Sequence, residues 1–238
     1  MAGRRTNLGL LFALALAFAT GWLAFAAGTG WGVGVVIAHG VLGLGVLVLT
    51  PWKSTIARRG LSKKRRGTNS SLVLTVLVVV SLLAGIAHSL GLTGRVAGLT
   101  VMQIHVGTAV GAVPFAIGHL VRRTAGVRRT DLSRRNLLRG MGVAGGGALL
   151  YGGIESVSKV FSLIGQNRRF TGSHEIGSHE PARMPVTQWL NDSVPSIDSG
   201  TWSLAVRTIA GERRWTLDEL LEHRRSLTAT LDCTGGWY

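Results

Sequence analysis

The stretch Leu72-Val-Leu-Thr-Val-Leu-Val-Val-Val-Ser-Leu-Leu-Ala-Gly-Ile-Ala-His-Ser-Leu90 contains no Asp, Glu, Lys or Arg. Coiled at about 1.5 Å per residue it reaches across a hydrocarbon core of about 30 Å. Three more runs have the same character: Leu8 to Ala27, Trp31 to Trp52 and Leu99 to Val121. A cleaved signal peptide would account for the first alone, not for four in succession. The chain therefore reads as an integral membrane protein built on an α-helical transmembrane bundle of four helices. The composition agrees, with 46% apolar residues and a mean hydropathy of +0.33.

Charge divides the chain in two. The net charge is +15, yet no acidic residue precedes Asp131, and ten of the eleven acids lie from Glu155 onward. A membrane part thus precedes a water-soluble part, with the change near residue 155. Basic residues cluster at Arg4 and Arg5, from Lys53 to Arg66, and from Arg122 to Arg139, while the alternate loops hold only Arg95. By the positive-inside rule the N-terminus and both basic loops face the cytoplasm. Each cluster sits at a membrane exit, so the charge is a topology signal rather than a nucleic-acid surface. The expected organisation is a transmembrane domain over 1–125, a basic linker with a fifth apolar segment over 126–164, and a soluble domain over 165–238.

Four of the seven histidines lie in or at the end of the apolar runs: His39, His88, His105 and His119. Ionisable groups inside a bilayer are costly and are candidates for function. On the topology above His39, His88 and His105 fall in the outer half, where two of them can serve as axial ligands of a b-type haem. His105 and His119 lie on one face about 21 Å apart along the helix, a spacing similar to that of membrane cytochromes b. No inner histidine is available as a partner for His119. Gly107 and Gly111 leave space beside His105 or serve close helix packing, and histidines that only hydrogen-bond between helices are the alternative.

The only cysteine stands in Leu231-Asp-Cys-Thr-Gly-Gly-Trp-Tyr238. Leu227-Thr-Ala-Thr-Leu-Asp232 is rich in β-formers and is expected to be a buried strand that breaks at Cys233 into a Gly-Gly turn. Thr230 to Tyr238 resembles the metal-binding segment of molybdopterin-dependent oxidoreductases of the sulfite oxidase type. Arg169-Phe-Thr-Gly-Ser173, Pro185 to Asp192, the strand-like Trp202 to Val206 and the helix Thr216 to Leu221 are similar as well. The resemblance implies a partial α+β molybdopterin domain in which Cys233 ligates molybdenum and Phe170 and Thr171 contact the cofactor. Domains of that type continue well past the cysteine, so the chain is expected to be a fragment. His174 and His179, with Glu175 and Glu180, repeat as Ser-His-Glu triplets and read as solvated loop, or as pterin contact through the Arg169 to Ser173 segment, with a cation-binding pair as the alternative.

Ahead of this domain, Ser133-Arg134-Arg135-Asn-Leu-Leu-Arg139, followed by glycine-rich Gly140 to Gly153, resembles a twin-arginine translocation signal. The alternative is a plain fifth crossing. A domain loaded with its cofactor in the cytoplasm would need a route for folded proteins. Taken together, the expectation is a bacterial multi-pass protein of the cytoplasmic membrane with an extracytoplasmic C-terminal domain. It would exchange electrons between quinone or quinol in the membrane and a small oxyanion or sulfoxide, through a b-type haem and molybdenum-molybdopterin. The alternative is a haem-binding electron-transfer subunit without catalysis of its own.

Overall fold

A computed structural model of the chain describes residues 2–26, 28–61, 68–92, 94–122, 128, 131, 133–185, 193, 195–233 and 235–238. Part of the second basic cluster, Leu132 of the twin-arginine-like stretch, residues 186–192 and Thr234 lie outside this set. The chain divides into two compact units, one of residues 1–184 with 232–238, the other of residues 185–231.

The first unit is helical. Helices α1 (Ala2–Ala26), α2 (Gly32–Leu61), α3 (Thr68–Ser89), α4 (Val101–Arg122) and α5 (Arg134–Val160) follow in order. Four of them, α1 to α4, are long and apolar enough to cross a membrane. A two-residue-strand hairpin, β1 (Arg95–Val96) with β2 (Leu99–Thr100), joins α3 to α4. Its turn uses Ala97 and Gly98 at φ of 51° and 80°. At the start of α4, Gln103 N–H donates to Thr100 Oγ1 at 3.1 Å and Thr100 N–H to Gln103 Oε1 at 2.8 Å, a reciprocal cap for two otherwise unpaired donors. Pro51 interrupts the ladder of α2, and the hydroxyls of Ser54 and Thr55 donate to its carbonyl.

Helices α1 and α2 form one antiparallel hairpin, α3 and α4 another, and α5 packs antiparallel on α2. The two hairpins meet each other only sparsely. The α2–α5 contact is close because glycine makes it so. A Cβ on Gly147 would run into the Val41 carbonyl and lie 3.1 Å from Gly45 N. Above it the Tyr151 ring lies over Gly40, and below it Val143 packs on Gly45. Such small-residue contacts let backbones approach where water cannot drive association. At the other end of this helix pair Arg4 donates to Asp131 at 2.7 Å, and this bond holds the Asp131 carboxyl below its ordinary range.

Beyond α5 a 3-10 turn, Ile164–Asn167, returns the chain to the end of α3, where Gly165 N–H donates to the Leu90 carbonyl. Residues 169–176 then pair with 233–238 at the end of the bundle that also carries the α1–α2 and α3–α4 turns. This end is called distal below.

The second unit holds the antiparallel pair β3 (Ser203–Thr208) and β4 (Gly211–Thr216), then helix α6 (Leu217–Glu222). The strand and helix expected here are found, and the Thr216–Glu219 capping box opens α6. The expected buried strand at Leu227–Asp232 is not. Residues 224–232 form no strand, and Leu227 and Leu231 are 79% and 63% exposed. A strand needs a ladder partner, and among the described residues none forms a ladder with this segment.

Candidate functional site

The distal half of the helical unit brings His39 and His105 together. Their rings lie 5.7 Å apart between centroids and are inclined at 83°. Each ring is anchored in the same way. His39 Nδ1 lies 2.8 Å from the Ala17 carbonyl of α1, and His105 Nδ1 lies 2.8 Å from the Ser81 carbonyl of α3. A carbonyl only accepts, so both rings carry the proton on Nδ1 and keep the Nε2 lone pair. That is the tautomer that binds a metal through Nε2, with the second nitrogen oriented by a backbone acceptor.

Glycine admits both rings. A Cβ on Gly21 of α1 would lie 2.9 Å from His39 Cε1, and one on Gly85 of α3 would lie 3.0 Å from His105 Cε1 and Nδ1. The carbonyl and the glycine are one helical turn apart in each hairpin, Ala17 with Gly21 and Ser81 with Gly85, so the same device is used twice. Gly107 and Gly111 have nothing within 4 Å of a Cβ, so among the described residues they leave space rather than form a packing contact.

His88, at the end of α3, pairs with His174 of the C-terminal segment. Their ring centroids are 4.6 Å apart, and His174 Nε2 lies 2.6 Å from the His88 carbonyl. His174 is fully buried, where the sequence reading had a solvated loop or a pterin contact. Burial, and secondarily Arg168, hold its imidazole below the usual range, so it is neutral. His88 Nε2, His174 Nδ1 and the indole N–H of Trp237 are buried with no hydrogen-bond partner. His179 is exposed. His119, toward the other end of α4, lies 3.0 Å from Ser71 Oγ through Nδ1.

The cysteine turn is docked beside His174. His174 N–H donates to the Gly236 carbonyl, Tyr238 N–H to the His174 carbonyl, and Cys233 N–H to the Trp237 carbonyl. Asp232 is fixed by Arg169 Nε at 2.8 Å and by Thr171 Oγ1 at 2.9 Å, and Ser173 Oγ donates to the Cys233 carbonyl. Cys233 Sγ is half-buried and accepts Gly235 N–H at 3.3 Å. The turn is tight because Gly236 takes φ 93°, and a Cβ there would press on the His88 ring and Met102 Cε. Thr171 therefore holds the segment that carries the cysteine, while Phe170 stacks under the Arg169 guanidinium at 5.1 Å.

Beside these groups a cleft of about 260 Å³ opens between α2 and α5, lined by Val36, Ile37, Tyr151, Glu155, Arg168 and Phe170. Arg168 is ion-paired with Glu155. Among the described residues no cluster of three or more His, Cys, Asp or Glu side chains could hold a metal ion unaided.

The structure thus joins His39 with His105 and leaves His119 apart. His88 goes with His174, a residue whose triplet repeat with His179 masked its different burial. The Glu155–Arg168 pair was marked in sequence only by the rarity of acids before residue 175. Compared with known proteins, the chain matches no family model, no curated protein and no solved structure.

Proposed function

We propose that the chain is the membrane-anchored part of a molybdopterin-dependent oxidoreductase, exchanging electrons between the membrane and a small oxyanion or sulfoxide outside the cytoplasm. The observation that carries this reading is the docking of the Cys233 turn, through His174 and His88, on the same end of the bundle as the His39–His105 pair. A thiol for one redox group and two imidazoles for another then sit in one compact unit.

The residues fit both groups. The His39 and His105 rings lie 5.7 Å apart between centroids, and each is held through Nδ1 by a backbone carbonyl, which keeps Nε2 for a metal group. His39 and His105 would then hold a b-type haem, and Cys233 would hold molybdenum. The metal groups supply one-electron and two-electron chemistry respectively, and the protein supplies position and tuning. Ala17 and Ser81 orient the imidazoles, Asp232 and Ser173 fix the cysteine turn, and the Gly235 N–H donates to the cysteine sulfur. The distal end is the extracytoplasmic one, and the segment that directly follows α5 reaches it through the Arg134–Arg135 signal.

The His39–His105 pair also suits the alternative, an electron-transfer subunit without catalysis, because it does not depend on Cys233. Elemental analysis and reduced-minus-oxidised spectra on the protein expressed from its full reading frame separate the two. Stoichiometric molybdenum lost in Cys233→Ala, with a haem spectrum lost in His39→Ala and His105→Ala but kept in His119→Ala, is the expected result. A haem without molybdenum leaves the subunit reading, and the absence of both rejects the proposal.

A further inference from the structure

The cleft between α2 and α5 has a chemistry of its own. Its floor is apolar, from Val33, Val36 and Ile37, and Phe170 closes one side. Its polar end gathers three groups: the Tyr151 side chain, the Glu155 carboxylate and the Arg168 guanidinium, with Tyr151 close enough to act electrostatically on Arg168. Burial lowers the Arg168 pKa from its ordinary value, and its side chain is only 11% exposed. A carboxylate and a guanidinium placed here are costly to desolvate and are more than helix packing requires. Glu155 is the only acid in α5.

The place is as informative as the lining. Tyr151 lies on Gly40, the residue after His39, and Ile37 lines the cleft, so the cleft lies within about one turn of His39 along α2. Val33 and Ile37 are also partly exposed on the surface of α2, at 39% and 42%, so the apolar floor runs out to where acyl chains lie. A ligand matching these features is flat, carries oxygen at its polar end for the carboxylate and guanidinium, and trails an apolar tail. A volume of about 260 Å³ admits one small ring system and excludes a porphyrin.

We propose that the α2–α5 cleft binds the headgroup of a membrane quinol, with one quinol hydroxyl donating to Glu155, Arg168 and Tyr151 donating to the quinol oxygens, and Val36 beneath the ring. The assignment deepens the electron-exchange reading above by giving its membrane partner a site. It concerns binding alone, so it can be tested whether or not molybdenum is present.

The test is equilibrium binding of a short-chain benzoquinol and a short-chain naphthoquinol, kept reduced under anaerobic conditions, to the full chain in lipid nanodiscs, with protein-free nanodiscs as the blank. One saturable site per chain is expected. Val36→Trp fills the cleft and should abolish it, whereas Val157→Trp, of equal bulk on an exposed face of α5, should leave it unchanged. Glu155→Gln keeps the shape and should weaken binding about tenfold or more, the effect of losing one charge-assisted hydrogen bond. Retained helicity and a monodisperse elution profile qualify each variant, and Glu155→Gln carries the test if Val36→Trp does not fold. No saturable binding above the blank, or binding indifferent to both cleft variants, overturns the assignment. Molybdenum content measured on the same samples keeps failure of the enzyme reading separate from failure of this one.

Discussion

Alanine at position 147 should loosen α5 from α2, although alanine is the better helix former. Replacing a helical glycine by alanine favours the helix by about 1 kcal/mol. At Gly145, where nothing lies within 4 Å of a Cβ, that gain should appear nearly whole. At Gly147 the methyl would land on the Val41 carbonyl and 3.1 Å from Gly45 N, which are the acceptor and donor of one turn of α2. Backbone cannot rotate aside as a side chain can, so the helices must separate. Overpacking costs about 1–3 kcal/mol, and weakening the Val41–Gly45 bond adds about 1 kcal/mol. Net of propensity, Gly147→Ala should destabilise by roughly 1–3 kcal/mol, some 2–4 kcal/mol below Gly145→Ala. For a chain of this size the two melting temperatures should differ by roughly 5–15 °C. Thermal unfolding of the full chain in one detergent, followed by near-ultraviolet circular dichroism, reads the difference. Gly147→Ala melting at or above Gly145→Ala would show that α5 does not rest on α2 by this face.

Two further outcomes are expected. Changing Arg134 and Arg135 together to Lys preserves charge but not a twin-arginine signal. Both side chains are exposed, and protease added to spheroplasts should then fail to reach the C-terminal part, whereas a plain crossing set by positive charge would export it normally. His174 supplies a pH dependence. Its folded pKa is lowered, chiefly by burial, while unfolded it titrates near 6.5. The unfolded state therefore binds more protons as the pH falls through that value, so stability is full above about pH 6.5 and declines below it. The melting temperature should fall from pH 7.5 to pH 5 more steeply in the wild type than in His174→Gln; parallel profiles would remove His174 as the cause.

The crossing helices were legible because length and apolarity alone decide whether a helix can span, and the helices found at α1 to α4 follow the runs read from the sequence within a few residues, apart from extensions at the start of α1 and the end of α2. Which face meets which was not. These helices are apolar all round, so periodicity does not single out a buried stripe. The pairing of His39 with His105 rather than with His88 depends on the rotation of α2 against α4, which no local pattern encodes. In the second unit the Thr216–Glu219 spacing was enough to place a helix start, because a capping box is satisfied within four residues. The stretch Leu227–Asp232 shows the opposite limit, since β-propensity states only that a segment would suit a sheet.

A usable signal for the histidine pair was nevertheless present. A helix that passes a ring plane at close range must offer a residue without a Cβ, and a backbone carbonyl one turn away can take the Nδ1 proton. Ala17 and Gly21 stand in the first apolar run, ahead of His39 in the second. Ser81 and Gly85 stand in the third, ahead of His105 in the fourth. The two sets differ by nearly the same number of positions, so they align when one half of the membrane part is laid on the other. His88 and His119 have no counterpart in that alignment, and they are the two that the structure leaves out of the central pair. A search for internal repetition anchored on histidines and the glycines opposite them would thus have separated the pair from the other two histidines. It would not have found His174, whose burial arises from a segment more than 80 residues away in sequence folding onto the His88 carbonyl.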